Sequence, residues 1–254
     1  MIIDEKKSDG MAAKAVNETR PREYRSRPDT LSITGPILKF ELANAAEKPA
    51  TAETCYRKKQ ACYAKFRAAA ASVPLEQTAD GHLHLVTAID CDSHEIVGSV
   101  SLYRRGDGAM LPLERALGGM VRLQPEIDSW RGRHVVEFSG LWADEIWRKT
   151  GLSEQLMLVA FAAAHRLRAD KIVGFSHQHV LEFYGTVGLV PDFGLGQYDY
   201  PNADYVSTVV WGDPVAFLTL PVERRPMVKR FADCISFGQP ILWRNFNERL
   251  ALKP

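Results

Sequence analysis

The sequence predicts an α/β domain of the α+β kind, a mixed sheet flanked by helices, and three stretches carry that prediction. HLHLVTAID (82–90) and EIVGSVSLYRR (95–105) are β-rich runs joined by CDSH, four residues with turn chemistry, so they read as an antiparallel hairpin. HVVEFSGLWA (134–143) is a buried-type strand. After it a helix runs from about Leu152 to Arg168, with Leu152, Leu156, Val159, Ala160, Ala163 and Leu167 on one face. KIVGFS (171–176) then returns as a short strand of the parallel type.

The remaining elements follow in order. ILKFELAN (37–44) alternates as a strand and leads into an Ala-rich segment over about 51–70, in which the spacing of Tyr56, Ala61 or Cys62, Tyr63 and Phe66 favours a helix. Residues 106–134 form a long connection punctuated by Gly and Pro, with one short helix in MLPLERALGGMV. HVLEFYGTVG (179–188) is a short helix that Gly188 can terminate, and DYVSTVVWG (204–212) is a late strand. Two amphipathic helical segments close the chain, one grouping Met227, Phe231 and Cys234, the other Trp243, Phe246 and Leu250.

Length, composition and charge set the outer bounds. A chain of 254 residues, 46% hydrophobic and 25% charged, fits one domain with extensions. We assign 1–31 to a disordered tail, 32–221 to the domain and 222–254 to the helical extension. The tail carries seven basic and six acidic residues with few large apolar ones, too little to offset its ordering entropy. A formal net charge of +1 gives no field that would draw nucleic acid, and no nucleic-acid partner is expected. The segment 222–254 has seven basic against three acidic residues, a patch that either docks an acidic carrier protein or is a solvated helix face; its amphipathicity equally suits a homodimer interface. No apolar run approaches the ~20 residues that span a bilayer, and the N-terminus lacks a signal-peptide layout, so a cytoplasmic protein is expected. Cys55, Cys62, Cys91 and Cys234 form no C-x-x-C pair and read as reduced thiols; His82 and His84 share a strand face without metal-ligand company and read as surface residues, so no metal is expected.

The chemistry concentrates after the buried strand. R-K-T-G-L-S (148–153) puts a tight loop at a helix N-terminus, where free N–H groups form an anion site. Gly151 admits close backbone approach, Ser153 is small, and Arg148 and Lys149 add positive charge. A pyrophosphate or phosphopantetheine phosphate suits it. Some thirty residues on stands F-Y-x-x-x-G-L-V-P (183–191). Together these two motifs resemble the acyl-donor loop and the "FY" segment of the GNAT acyltransferases, over about 37–212. L-P-L at 111–113 and V-E-F-S-x-L at 136–141 look most like the autoinducer synthases and N-acyl-amino-acid synthases. Those relatives commonly have Ser-Arg after the Glu, whereas this chain has Ser139 and Gly140, which puts homoserine-lactone chemistry in doubt.

The resemblance implies a mainly antiparallel GNAT-like sheet, splayed near Leu141–Ala143, that moves an acyl group from a pantetheine thioester to an amine. The co-substrate is acyl-CoA or acyl-phosphopantetheine on acyl carrier protein, with no tightly bound cofactor, and the acceptor is a small-molecule amine such as an amino acid. Glu137, a carboxylate in an apolar strand, becomes the proton acceptor, its alternative being a salt bridge to Arg104 or Arg133. Tyr184 becomes the proton donor to the leaving thiolate, its alternative being a packed aromatic. Leu141, Trp142 and Ala143 hold the pantetheine arm by their peptide groups; Arg148, Lys149, Gly151, Leu152 and Ser153 hold its phosphate; His177 stands near the pantetheine. Met110, Leu111, Leu113, Leu117 and Met120 are expected to line an acyl tunnel for chains of about eight carbons or more, each buried methylene contributing about 0.8 kcal/mol. A plain acetyl-CoA-dependent acetyltransferase and a non-catalytic acyl-CoA-binding module remain the other readings.

Overall fold

The chain runs β1 (Ile37–Asn44), α1 (Pro49–Ala64), β2 (Leu83–Asp90), β3 (Ile96–Arg104), α2 (Pro112–Leu117), α3 (Gln124–Ser129), β4 (Val135–Ala143), α4 (Leu152–Arg166), β5 (Lys171–His177), α5 (Leu181–Thr186), β6 (Val190–Pro191), β7 (Gln197–Asp199), β8 (Val206–Gly212), α6 (Arg225–Ser236) and β9 (Ile241–Arg244). This computed structural model describes residues 35–66, 68, 81–106, 108–117 and 119–244. The tail expected over 1–31, and Phe246 and Leu250, lie outside the described residues.

The hairpin predicted around CDSH is β2–β3, antiparallel from Leu83↔Tyr103 to Ile89↔Ile96. The sheet extends from it in both directions, in the order β9-β1-β2-β3-β4-β5-β8-β6, with β7 beside β6 on the same edge of β8. Among the described residues only β4 and β5 pair in parallel, and α4 is the crossover between them. Side-chain alternation gives the sheet two apolar faces. Val136 and Phe138 enter a core with α4 and α6, whereas Val135 enters a second core with α1, α2 and α3, and Glu137 points to that second side.

Three expectations change in the folded chain. Helix α4 is buried nearly all round, with every residue from Leu156 to Ala164 buried, where the sequence marked one face. The outer face is covered by α6, which packs Val228 and Ala232 into the same core with Met227, Phe231 and Cys234 alongside. The extension 222–254 is not helical throughout, since Ile241–Arg244 pair antiparallel with Ile37–Phe40 at the sheet edge. The 106–134 connection holds two helices, and Leu111, Leu113 and Leu117 pack in the second core with Leu123, Ile127 and Trp130, while Met110 and Met120 are exposed. Leu111, Leu113 and Leu117 are thus used in closing the sheet face, with Leu113 also bordering a cavity, and the five do not together line one tunnel.

Candidate active site

The parallel ladder between β4 and β5 ends at Phe138↔Gly174, while β5 continues against β8 as far as His177↔Ser207. Beyond Phe138 the β4 strand turns away. Its register against β3 shifts between Ser99 and Ser101, and Gly140 takes φ +63°, a left-handed conformation that favours glycine. The segment Ser139–Ala143 thus pairs with β3 on one side and, among the described residues, with no strand on the other, and a cleft opens between the strands. This is the splay expected near Leu141–Ala143.

The cleft has two connected parts. A small cavity of about 100 Å³ lies between β4, β5 and α2, lined by Leu113, Glu137, Ser139, Gly140, Tyr200 and others. A larger, mostly apolar space of about 430 Å³ runs past Leu141, Trp142, Ala143, Arg148 and Ser153, with Cys62, Phe66 and Phe183 opposite. Tyr63, His177, Val180 and Tyr184 line both and stand at the junction.

Glu137 is 3% exposed, and one carboxylate oxygen accepts a 2.8 Å hydrogen bond from the Leu113 backbone N–H. Among the described residues it forms no salt bridge, so Arg104 and Arg133 do not neutralise it. Burial pushes its carboxyl up to about 8, against the opposing pull of the Leu113 N–H and the Arg115 charge. The adjacent carboxylate, Glu114, plays a different part. Only 2% exposed, it is paired with Arg105 at 3.0 Å and accepts from the Leu111 N–H, which fixes α2 over the cavity.

Tyr184 projects from α5, where burial pushes its hydroxyl up to about 12. Gly188, at φ +85°, ends that helix as the sequence predicted. His177 sits at the end of β5 with Nδ1 2.6 Å from the Ser207 hydroxyl oxygen, and that hydroxyl donates to the Tyr200 carbonyl at 2.9 Å. The Ser207 proton being so committed, Nδ1 carries the hydrogen and donates, which leaves Nε2 as an acceptor. Burial and the neighbouring His179 hold the His177 pKa below its usual value, favouring the neutral ring.

Gly151 caps α4 at φ +91° with no side-chain cap, so the first N–H groups of that helix are open. Arg148 bends over the Phe66 ring and reaches the Cys62 sulfur at 3.3 Å, on the wall of the larger space. Lys149 is exposed and lies outside both spaces, and Leu152 is fully buried, so its side chain packs in the core and only its peptide group can face a ligand. Trp142 is 3% exposed and its indole N–H has no partner among the described residues.

The sequence reading missed residues supplied by α1 and the β7–β8 region. Tyr63 donates from its hydroxyl to the Leu141 carbonyl at 3.2 Å, and Tyr205 donates to the Phe66 carbonyl while its ring lies 4.6 Å from His177. Lys59 was missed as well, although it continues the buried Ala52–Cys55 stripe of α1 at helical spacing. His84, read as a surface residue, is 8% exposed, with Nε2 3.4 Å from Asn44 Nδ2. Among the described residues no group of His, Cys, Asp or Glu is placed to hold a metal ion, and the four cysteines form no disulfide. No helix among these residues is long and apolar enough to cross a membrane.

No protein-family model matches the chain, and no curated protein matches it in sequence. Solved structures do match in fold. FeeM, an N-acyl amino acid synthase from uncultured soil microbes, superposes with a TM-score of 0.57 at 13% identity, covering 72% of this chain and 99% of its own. The CoA-dependent acyl-homoserine lactone synthase BjaI, solved with SAM and isopentyl-CoA, gives 0.53 at 12% identity over 85% of this chain and 100% of its own. The CoA-dependent acyl-homoserine lactone synthase MesI gives 0.51 at 12% over 76% and 95%. The chain therefore has the GNAT fold.

Proposed function

We propose that this GNAT-fold chain is an N-acyltransferase that moves a medium or long acyl group from acyl-CoA or acyl carrier protein to the amine of a small molecule such as an amino acid. The observation that carries the reading is Glu137, a buried carboxylate without an ion pair in a small cavity that opens onto the donor-sized cleft. FeeM is an N-acyl amino acid synthase and BjaI an acyl-homoserine lactone synthase, and analogy of fold supports the same class of reaction here.

In this reading the donor arm lies along Leu141–Ala143 with its phosphate at Arg148, Gly151 and Ser153, while His177 Nε2 accepts a hydrogen bond from it. The acyl chain follows the apolar wall of Cys62, Phe66 and Phe183 rather than the 106–134 connection. The acceptor enters the small cavity and yields a proton to Glu137. Its nitrogen attacks the thioester carbonyl, the C–N bond forms, and a peptide N–H of the unpaired β4 edge stabilises the oxyanion. As the C–S bond breaks, the Tyr184 hydroxyl gives its proton to sulfur and takes the remaining surplus proton of the attacking nitrogen, which leaves a neutral amide, a thiol and a proton on Glu137 that passes to solvent; the thiolate forms in the same desolvated space, which raises its basicity alongside that of the phenol.

Turnover measured as released thiol, with product mass, decides the matter across acetyl-, octanoyl- and palmitoyl-CoA and acylated carrier protein. Octanoyl or palmitoyl donors should exceed acetyl in kcat/KM by at least about tenfold, since a few buried methylenes at about 0.8 kcal/mol each suffice. A flat or acetyl-favouring series would favour the acetyltransferase reading, for which the intact Arg148–Ser153 anion loop speaks, and no thiol release with any donor would leave only a binding module.

A further inference from the structure

Lys59 is 5% exposed, yet among the described residues no carboxylate pairs with it and no acceptor hydrogen-bonds its ammonium. Its charged end lies 5.7 Å from the centroid of the Tyr56 ring. The nearest thiol, Cys55, offers no counter-charge, because burial raises its pKa and keeps it protonated. A buried cation left in this state is costly, and burial accordingly pushes Lys59 down to about 8.

Its position explains what it waits for. The Lys59 side chain lies across Gly140 so closely that a Cβ there would stand 2.8 Å from Lys59 Cδ and 3.1 Å from Nζ. Gly140 also lines the small cavity that holds Glu137. We propose that Lys59 receives the carboxylate of the acceptor, which makes the acceptor an α-amino acid or close analogue, with its amine toward Glu137 and its carboxylate toward Gly140. This rests on the acyl-transfer reading above.

The charges agree. A zwitterion is neutral overall, so it enters without a net desolvated charge, and it supplies each buried group with the partner it lacks. Its carboxylate favours the ammonium form of Lys59. Its own ammonium favours the ionised form of Glu137, the form that accepts a proton, so the correct acceptor prepares its own base. A primary amine without a carboxylate would do only half of this.

The test pairs L-alanine, L-phenylalanine and L-tyrosine with their primary amides. In full-length protein carrying ¹³C-lysine, the Lys59 ε-carbon resonance, assigned by its absence from Lys59→Met, should titrate near 8. Saturating amino acid should move that midpoint upward, whereas the matching amide should not. In turnover assays the wild-type protein should prefer acid over amide by at least about tenfold in kcat/KM, as for hydrogen bonds to charged groups, and in Lys59→Met the preference should fall to about one. An unmoved Lys59 midpoint, an equal movement with the amides, or an acid preference that survives Lys59→Met would overturn the proposal. Absence of acyl transfer with every donor would defeat the acyltransferase reading instead, and the resonance titration would still decide Lys59 by itself.

Discussion

Glu137 and Lys59 are both buried, and each is held toward its neutral form by burial. For Glu137 the folded pKa of about 8 lies above the ordinary 4.5, so the folded state binds more protons than the unfolded state between those values. Its protonated form therefore contributes stability that is complete below about pH 4.5 and lost as pH rises through about 8. Glu137→Gln keeps an acceptor for the Leu113 N–H but has no charge to lose. The variant should gain on the wild type as pH rises from 5 to 8, toward a ceiling of roughly 5 kcal/mol at 1.36 kcal/mol per unit. Urea unfolding at the two pH values measures this, and a difference that does not change with pH would show that Glu137 titrates normally. In turnover, log kcat/KM of the wild type should climb with unit slope below about pH 8 as the carboxylate ionises, and the Gln variant should lose that limb along with about 10²–10⁴ in rate. Glu137 was readable as a residue out of place in an apolar strand. Its freedom from Arg104 and Arg133 was not, because which cation reaches a carboxylate depends on side-chain directions across the sheet.

At the level of elements, the site depends on where strands stop pairing. β4 and β5 separate after Phe138↔Gly174, and the bulge at Gly140 turns the edge of β4 toward the cleft. The N-terminus of α4 faces the same region, its loop needing φ +91° at Gly151. Gly151→Val places a β-branched side chain in that conformation, strained by roughly 1–3 kcal/mol, and obstructs approach to the open N–H groups. We expect a folded Gly151→Val protein to bind CoA at least about tenfold more weakly in calorimetry. Unchanged affinity would remove the phosphate from this loop. Loop and helix start were legible in R-K-T-G-L-S, since glycine and basic residues before an apolar-periodic run mark such a turn. The two-residue β6, the three-residue β7 and the four-residue β9 were not legible, being too short for period-two alternation to stand out. Helix α3 escaped because QPEIDS buries only Ile127 and so shows no apolar repeat.

Over the whole molecule, α6 and β9 contribute to the core that buries α4. Helix α6 covers α4 with Val228 fully buried, Arg224 pairs with Glu154 in the first turn of α4, and β9 closes the edge of β1. A chain ending at Pro221 exposes the apolar outer face of α4 and should lose a large part of its stability, seen as a lowered midpoint and a broader transition in thermal or urea unfolding. An unchanged midpoint would make the segment an appendage, as a domain boundary at residue 221 implies. By itself the sequence determined the hairpin, the β4–α4–β5 crossover, the tight loop ahead of α4 and the place of Glu137, because each is written in local periodicity, turn chemistry or a polar residue within an apolar run. Tertiary structure alone decided what buries α4 all round, which leucines of 106–134 belong to the core, that Ser207 fixes the His177 ring, and that Lys59 lies against Gly140. Those relations join residues many positions apart, and a contact between distant segments is set by how sheet and helices close on one another, a geometry that no local pattern records.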